Sequence, residues 1–119
     1  MIVDDDPFML AAIEKFLRTK GLSVLAIGKP EEAFDKAQTV MPDLIISDVA
    51  MPGIDGFTLL RAFQQNKKTQ HIPLVLLTGT DKIADVEKGY ASGAKAYILK
   101  PVDWERAWAK LEPLLSKAR

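Results

Sequence analysis

Short apolar runs alternate along the whole chain with longer segments in which apolar residues recur at helical spacing. The runs are nearly continuous, which is typical of strands that are buried on both faces of a parallel sheet. Strands separated by amphipathic helices form βαβ units with helices on both faces of the sheet, so the pattern predicts an α/β fold. The predicted strands are Met1–Val3, Leu22–Ile27, Leu44–Ser47, Leu74–Leu77 and Tyr97–Leu99.

The segments between these strands carry the start and stop signals of helices. Proline and acidic residues suit the first turn of a helix, aspartate suits its N-cap, and glycine suits the position just after its end. The predicted helices are Pro7–Lys20 followed by Gly21, a second from Pro30 that ends before Pro42, a third from Asp55 to about Gln65, a fourth over 83–92 followed by Gly93, and a fifth capped by Asp103, with a polar connector over 66–71.

The fifth predicted helix contains a proline at position 113. A proline in the interior of a helix removes one backbone hydrogen bond and costs about 3 kcal/mol. We therefore expect this helix to end or kink near Glu112.

Polar side chains stand where four of the apolar runs stop. Because the carboxyl ends of parallel strands meet at one edge of the sheet, and ligands bind in the crevice outside that edge, these side chains are expected to form one site. The residues concerned are Asp4, Asp5, Asp48, Thr78 and Lys100.

The residue types of this predicted site indicate phosphoryl chemistry. Two like charges about 4 Å apart repel by about 1 kcal/mol in water and by about 4 kcal/mol at an effective dielectric constant of 20, so three converging carboxylates favour a divalent cation. An all-oxygen ligand set suits Mg²⁺, which commonly completes its shell with phosphate oxygens. A carboxylate can accept a phosphoryl group covalently, and Lys100 and Thr78 could bind the phosphoryl oxygens.

Four segments, in this order and spacing, resemble the receiver domain of two-component response regulators: Val3–Pro7, Asp48–Gly56, Thr78–Gly79 and Tyr97–Pro101. Any one of them alone would be a weak signal, because short motifs recur by chance. The resemblance covers essentially the whole chain. It implies a flavodoxin-like, doubly wound parallel sheet of five strands in the order 2-1-3-4-5 with five helices. It also implies a single receiver domain over residues 1–119. This domain would be either independent or excised from a longer response regulator or hybrid protein.

The same resemblance implies a role for each residue of the predicted site. Asp48 would be the phosphoacceptor, and Lys100 would bind a phosphoryl oxygen. The Mg²⁺ cofactor would be held by Asp5, by Asp48 and by the backbone carbonyl of Ala50, with Asp4 bound through water.

A conformational switch is also implied by the resemblance. Thr78 would move to bond the phosphoryl group, and Tyr97 would respond by changing its rotamer, although an aromatic residue near a strand end is commonly a core residue. The Lys100–Pro101 peptide bond is expected to be cis. The switch would change the face formed by the fourth helix, the fifth strand and the fifth helix, and would thereby control an output domain, another partner or a receiver homodimer. The phosphodonor would be a sensor histidine kinase or a phosphotransfer protein.

Composition narrows the class of protein further. The length of 119 residues suits one domain, and 16 basic against 16 acidic residues leave no electrostatic footprint for direct binding of nucleic acid or of a membrane. There is no cysteine, the apolar runs are too short to cross a bilayer, and the acidic start does not resemble a signal peptide, so a reducing cytoplasm is the expected location.

Three alternatives compete with a phosphoacceptor switch that is not itself an enzyme. A haloacid-dehalogenase-like phosphatase would carry a second aspartate two residues after its nucleophile, where this chain has Ala50. A flavodoxin-like cofactor protein would meet repulsion between the flavin phosphate and the aspartates at positions 4–6. An interaction-type receiver that is never phosphorylated is disfavoured because the site residues are all present. Asp6 is expected only to cap the first helix.

Overall fold

The apolar runs form the parallel sheet that the sequence predicts. In a computed structural model, which describes residues 1–79, 91 and 93–118, five parallel strands pair in the order β2-β1-β3-β4-β5. This confirms the predicted flavodoxin-like strand order. The strands are β1 (Ile2–Val3), β2 (Ala26–Ile27), β3 (Ile45–Asp48), β4 (Leu74–Thr78) and β5 (Ala96–Leu99).

In the described part of the chain, helices pack on both faces of the sheet. The predicted fourth helix, 83–92, lies outside the described residues apart from position 91, so the prediction of five helices is not decided. The described helices are α1 (Pro7–Thr19), a 3₁₀ turn (Pro30–Glu32) that leads into α2 (Ala33–Val40), α3 (Gly56–Gln65) and the C-terminal helix (Trp104–Ala118). No helix in this part of the chain is both long enough and apolar enough to span a membrane.

Successive strand residues point to opposite faces, and this alternation divides the core into two apolar clusters. Ile45 packs in the cluster that contains residues of α2 and α3, whereas Ile46 packs in the cluster that contains residues of α1 and the C-terminal helix. Leu74 and Val75 divide in the same way in β4. Burying one such side chain contributes about 1.5–3 kcal/mol, and both faces therefore stabilise the sheet.

Aspartates begin three of the helices, as the sequence predicts. The carboxylate of Asp6 accepts the N–H two residues further along the chain at 2.9 Å, and Asp55 accepts the N–H three residues further along at 2.8 Å. Asp103 makes the same bond at 3.2 Å. A cap of this kind satisfies one of the backbone donors left open at the start of a helix.

The C-terminal helix continues to Ala118 with Pro113 inside it, so the expectation that it ends near Glu112 is wrong, whereas a kink at that point stays a prediction. The carbonyl that loses its hydrogen bond belongs to Ala109, four residues earlier, and both positions are exposed, so water can satisfy that carbonyl. Leu111 and Leu115 on either side of the proline are buried and hold the helix against the sheet. The apolar packing therefore outweighs the cost of the proline.

The second strand is shorter than predicted, since only Ala26 and Ile27 form it. It lies at one edge of the sheet, and its partner β1 contributes just two residues, Ile2 and Val3, to the shared ladder. Leu22 and Val24 are nevertheless partly buried and pack against the cluster that includes α1. Their apolar character thus reflects packing outside the ladder.

Candidate functional site

The register of the strands brings the polar strand-end residues to one edge of the sheet. Val3 pairs with Ser47, so Asp4 and Asp48 follow side by side on neighbouring strands. Thr78, the last residue of β4, pairs with Leu99, and the backbone N–H of Lys100 donates to the carbonyl of Thr78 at 2.7 Å. The sheet therefore gathers these side chains at the edge where parallel sheets bind ligands.

Three carboxylates converge at this edge and form what we call the acidic site, Asp4, Asp5 and Asp48. Each offers an oxygen, and these oxygens all lie within 4.8 Å of one another. Asp4 and Asp48 are buried, with 1% and 5% of their surface exposed, whereas Asp5 is open to solvent. Charges at this separation repel one another most strongly where water is excluded.

The environment of Asp4 disfavours its negative charge. Its Oδ1 accepts the backbone N–H of Asp6 at 3.0 Å, but its Oδ2 is buried and has no hydrogen-bond partner among the described residues. Burial raises the pKa of Asp4 to about 6, and the negative charge of Asp48 adds to the rise. The hydrogen bond from Asp6 and the charge of Lys100 act in the opposite direction but do not cancel it.

One cationic side chain partly balances the negative charge of the acidic site. The ammonium Nζ of Lys100 lies 3.2 Å from Oδ1 of Asp48 and 3.9 Å from Oδ2 of Asp4. In the described part of the chain it is the only cation that pairs with these carboxylates, so the ionised site carries a net negative charge. The lysine tail is about a quarter exposed, and its ammonium can therefore face a ligand that enters from solvent.

These residues fit a bound divalent cation. The donors are all carboxylate oxygens, and the unbonded, buried Oδ2 of Asp4 is the kind of atom that an ion or its water would satisfy. The Coulomb repulsion between the three carboxylates would be relieved by the same charge. The acidic site can therefore hold a metal ion.

The remaining predicted residues lie around this cluster or behind it. Ala50 is exposed in the loop that follows Asp48, and Thr78 is buried at the end of β4. The Lys100–Pro101 peptide bond is cis. Tyr97 is buried in the cluster that includes α2 and α3.

Tyr97 also has a backbone contact that the sequence did not reveal. Its carbonyl accepts a hydrogen bond from Nζ of Lys110, a residue of the C-terminal helix. This bond links the fifth strand directly to the helix packed against it. A lysine at this position carries no sequence signal for such a contact, because lysines on helices are ordinarily solvated.

The second contact missed by sequence reasoning involves Gly56, the first residue of α3. Its backbone lies directly against the carbonyl of Asp48. The only available signal was a glycine in the first turn of a helix, where alanine is ordinarily the better residue. In the sequence this glycine is the last residue of the Asp48–Gly56 motif.

Comparison with known proteins identifies the family to which these features belong. Residues 1–112 match the response regulator receiver domain. The chain belongs to this family, the CheY-like receiver domains of two-component signal transduction, and the resemblance seen in the sequence is confirmed.

Individual relatives agree with this assignment. The chain is 32% identical over 118 residues to Response regulator Rre1 of Synechocystis sp., an alignment that covers 98% of this chain and 51% of that protein. It resembles the structure of the signal receiver domain of a signal transduction histidine kinase from Syntrophus aciditrophicus, with 32% identity, a TM-score of 0.88 and coverage of 98% and 88% of the two chains. The chemotaxis protein CheY4 of Vibrio cholerae gives 29% identity, a TM-score of 0.88 and coverage of 95% and 94%.

The length of the chain also differs from that of its relatives. The chain spans about half the length of the curated response regulators that it matches first.

Proposed function

We propose that this chain is a phosphoacceptor switch in which Asp48 receives a phosphoryl group from the phosphohistidine of a sensor histidine kinase or phosphotransfer protein. The observation that carries the proposal is the buried carboxylate of Asp48, which lies in the acidic site with the ammonium of Lys100 at 3.2 Å. A carboxylate can act as a nucleophile toward phosphorus. Family membership supports the same role for Asp48.

In the transfer, a carboxylate oxygen of Asp48 forms a bond to phosphorus while the bond from phosphorus to the donor's histidine nitrogen breaks. Lys100 is already beside Asp48 and binds an oxygen of the incoming group, and the hydroxyl of Thr78 bonds another. Phosphoryl transfer depends mainly on positioning and charge stabilisation, which are what these side chains supply. The domain assists its own phosphorylation and dephosphorylation but turns over no other substrate.

The proposed cofactor is Mg²⁺, held by Asp5, Asp48 and the backbone carbonyl of Ala50, with Asp4 bound through water. The ion neutralises charge on the carboxylates and phosphoryl oxygens, so that an anionic donor can approach. Asp4 and Asp48 are fixed by adjoining strands, whereas Asp5 is exposed and can adjust to the ion. Waters would supply the remaining ligands.

Intact-mass spectrometry after treatment with acetyl phosphate and Mg²⁺ tests the assignment. The wild-type protein should gain one phosphoryl group and Asp48→Asn none. Asp55→Asn is the matched control, because Asp55 follows the same strand but caps α3 at the surface, and it should be labelled like wild type. Equal labelling of Asp48→Asn and wild type would show that this aspartate is not the acceptor. No labelling of the wild-type protein would support the interaction-type receiver.

Signal transmission is proposed to run through Thr78 and Tyr97 to the face formed by the fourth helix, β5 and the C-terminal helix. Two contacts support this route, the backbone bond from Lys100 to Thr78 and the bond from Lys110 to the carbonyl of Tyr97. A ligand can shift an equilibrium only through contacts that differ between the two states, and Thr78 and Lys100 would provide them.

Amide chemical shifts measured on adding beryllofluoride, a phosphoryl mimic, with Mg²⁺ test this route. Wild type should show changes at the pocket and across residues 82–112, whereas Thr78→Ala should show them at the pocket and respond poorly beyond it. Wild-type changes confined to the pocket would mean that the signal uses another surface.

The setting of the domain is proposed on the same basis. Residues 1–119 would form one receiver domain, independent or excised from a longer response regulator or hybrid protein, working in the cytoplasm. Its signalling face would control an output domain or form a receiver homodimer. The equal numbers of acidic and basic residues argue that the domain itself binds neither nucleic acid nor membrane.

A further inference from the structure

Gly56 is in unusually close contact with the backbone that carries Asp48. A methyl group in place of its α-hydrogen would lie 2.5 Å from the carbonyl oxygen of Asp48 and 3.0 Å from Cα of Val49. It would also lie 2.9 Å from Cδ2 of Leu76. The leucine side chain can move aside, but the two backbone atoms belong to the end of β3 and to the start of the loop over 49–55, which we call the site loop.

Backbone conformation does not explain the glycine. The glycines of the described chain with positive φ are Gly21, Gly53 and Gly93, so Gly56 has a φ that an alanine also adopts. Alanine would ordinarily stabilise the first turn of a helix relative to glycine. The requirement at position 56 is therefore one of space.

Hydrogen bonds make this contact part of the site. The N–H of Gly56 donates to the carbonyl of Val49 at 2.9 Å, and the N–H of Val49 donates to the carbonyl of Leu77 at 2.9 Å. The N–H of Gly56 thus closes the loop over 49–55, and the N–H of Val49 ties the start of that loop to β4. The loop contains Ala50, whose carbonyl is a proposed ligand of the cation.

We propose that Gly56 is a positioning residue of the acidic site. By seating the start of α3 directly on the carbonyl of Asp48, it sets the positions of the Asp48 carboxylate and the Ala50 carbonyl relative to each other. The inference rests on the proposed function as far as the cation is concerned. The placement of the Asp48 backbone can be measured without a cation.

Gly56→Ala and Gly28→Ala form a matched pair of variants. Gly28 also follows a strand at this edge and has no positive φ, but a methyl group there would make only an ordinary contact of 3.6 Å with Leu10. In metal-free protein, Gly56→Ala should shift the amide signals of residues 48–50 well beyond the shifts caused by Gly28→Ala. Mg²⁺ affinity should fall about tenfold or more in Gly56→Ala, as is typical when the support of a metal ligand is removed. Gly28→Ala should bind like wild type.

A second variant separates the backbone contact from the side-chain contact. Gly56→Ala combined with Leu76→Val gives the methyl group room on the leucine side and leaves the contacts with Asp48 and Val49 in place. The double variant should still bind Mg²⁺ weakly, and it provides the same readout if the single variant is too unstable to study. Recovery of wild-type affinity in the double variant would overturn the proposal.

Two further results would also be decisive. If Gly56→Ala melts at a lower temperature but keeps wild-type Mg²⁺ affinity and unshifted signals at 48–50, the glycine is only a packing residue. If the wild-type protein binds no Mg²⁺, the proposed cofactor is wrong, and the metal-free shifts alone then decide whether Gly56 positions Asp48.

Discussion

Two groups of three aspartates occupy different environments and use the same side chain in opposite ways. The capping aspartates, Asp6, Asp55 and Asp103, stand at helix starts on the surface, where each carboxylate accepts a backbone N–H close in sequence. The carboxylates of the acidic site instead converge on one another from two strand ends.

The two groups differ in the hydrogen bonds that each carboxylate accepts and in how far its charge is buried. A capping aspartate is satisfied by its own helix and stabilises the fold by about 1 kcal/mol. Asp4 is buried with one oxygen unbonded within the described chain and with its pKa raised, so in its ionised form it lowers the stability of the fold. The acidic site can regain that stability when a cation or a proton binds to it.

The largest expected effect is on cation binding. Asp5→Ala should weaken Mg²⁺ binding by about 100-fold, or about 2.8 kcal/mol, because it removes a proposed direct ligand. Asp6→Ala, its neighbour in sequence, should bind Mg²⁺ like wild type. Calorimetric titration of both variants makes the measurement. A loss of binding in Asp6→Ala with normal binding in Asp5→Ala would reverse the assignment of the two groups.

Removing the charge of Asp4 should stabilise the metal-free protein. Asp4→Asn keeps an acceptor for the N–H of Asp6 and removes a buried charge, so its free energy of unfolding at neutral pH should rise by about 1–3 kcal/mol. Urea denaturation with a chelator present gives this value. A variant less stable than wild type at neutral pH would show that the ionised carboxylate is well accommodated after all.

The stability that Asp4→Asn gains over wild type should depend on pH. The pKa of Asp4 rises from an ordinary 3.8 to about 6 on folding, so the folded state binds the proton more tightly than the unfolded state. The stability linked to this proton is fully present below the unfolded pKa and is lost as the pH rises through the folded pKa. The advantage of Asp4→Asn should therefore be large above about pH 7 and should shrink toward about pH 4. An advantage that does not vary with pH would point to a cause other than titration.

Variants of the capping aspartates should lose stability and keep their affinity for Mg²⁺. Asp55→Ala should lower the free energy of unfolding by about 1 kcal/mol, because it removes a 2.8 Å bond to the first turn of α3. Its Mg²⁺ affinity should be unchanged. Denaturation and titration of the same sample test both statements, and a coupled loss of affinity would mean that the cap also supports the site loop.

The smallest effect is expected at the last helix. Asp103→Ala should cost less than Asp55→Ala, about 0.5 kcal/mol, because its cap bond is longer at 3.2 Å. Urea denaturation alongside Asp55→Ala provides the comparison. A larger loss for Asp103→Ala would indicate that this residue does more than cap its helix.

Four of the strands, the capping aspartates and the membership of the acidic site could be predicted because their signals are local, whereas β2 is shorter than its apolar run. A buried parallel strand leaves a continuous apolar run, and the residue after the run must lie at the carboxyl edge, as Asp48 does. Asp6 and Asp55 precede helices whose start signals lie within a few residues. The roles of the site residues in phosphoryl transfer and switching remain predictions.

The features that the sequence did not predict depend on how separate segments pack against one another in three dimensions. Pro113 is tolerated because of packing on the sheet, and the contact of Gly56 with Asp48 depends on how α3 meets β3. Thr69 lies in the predicted polar connector yet is completely buried, where its hydroxyl donates to the carbonyl of Phe63 at 2.7 Å. Composition alone could not distinguish such a residue from its solvated neighbours.

The bond between Lys110 and Tyr97 has a consequence for solubility. β5 is an edge strand, and an edge strand with open backbone groups can recruit a strand from another molecule and begin aggregation. The ammonium of Lys110 covers the carbonyl of Tyr97, so an incoming strand would have to displace a charged group to pair there. The opposite edge, β2, has only two residues and offers little to pair with. One backbone acceptor of β5 is thus covered by a charge, and the short length of β2 limits strand pairing at the other edge.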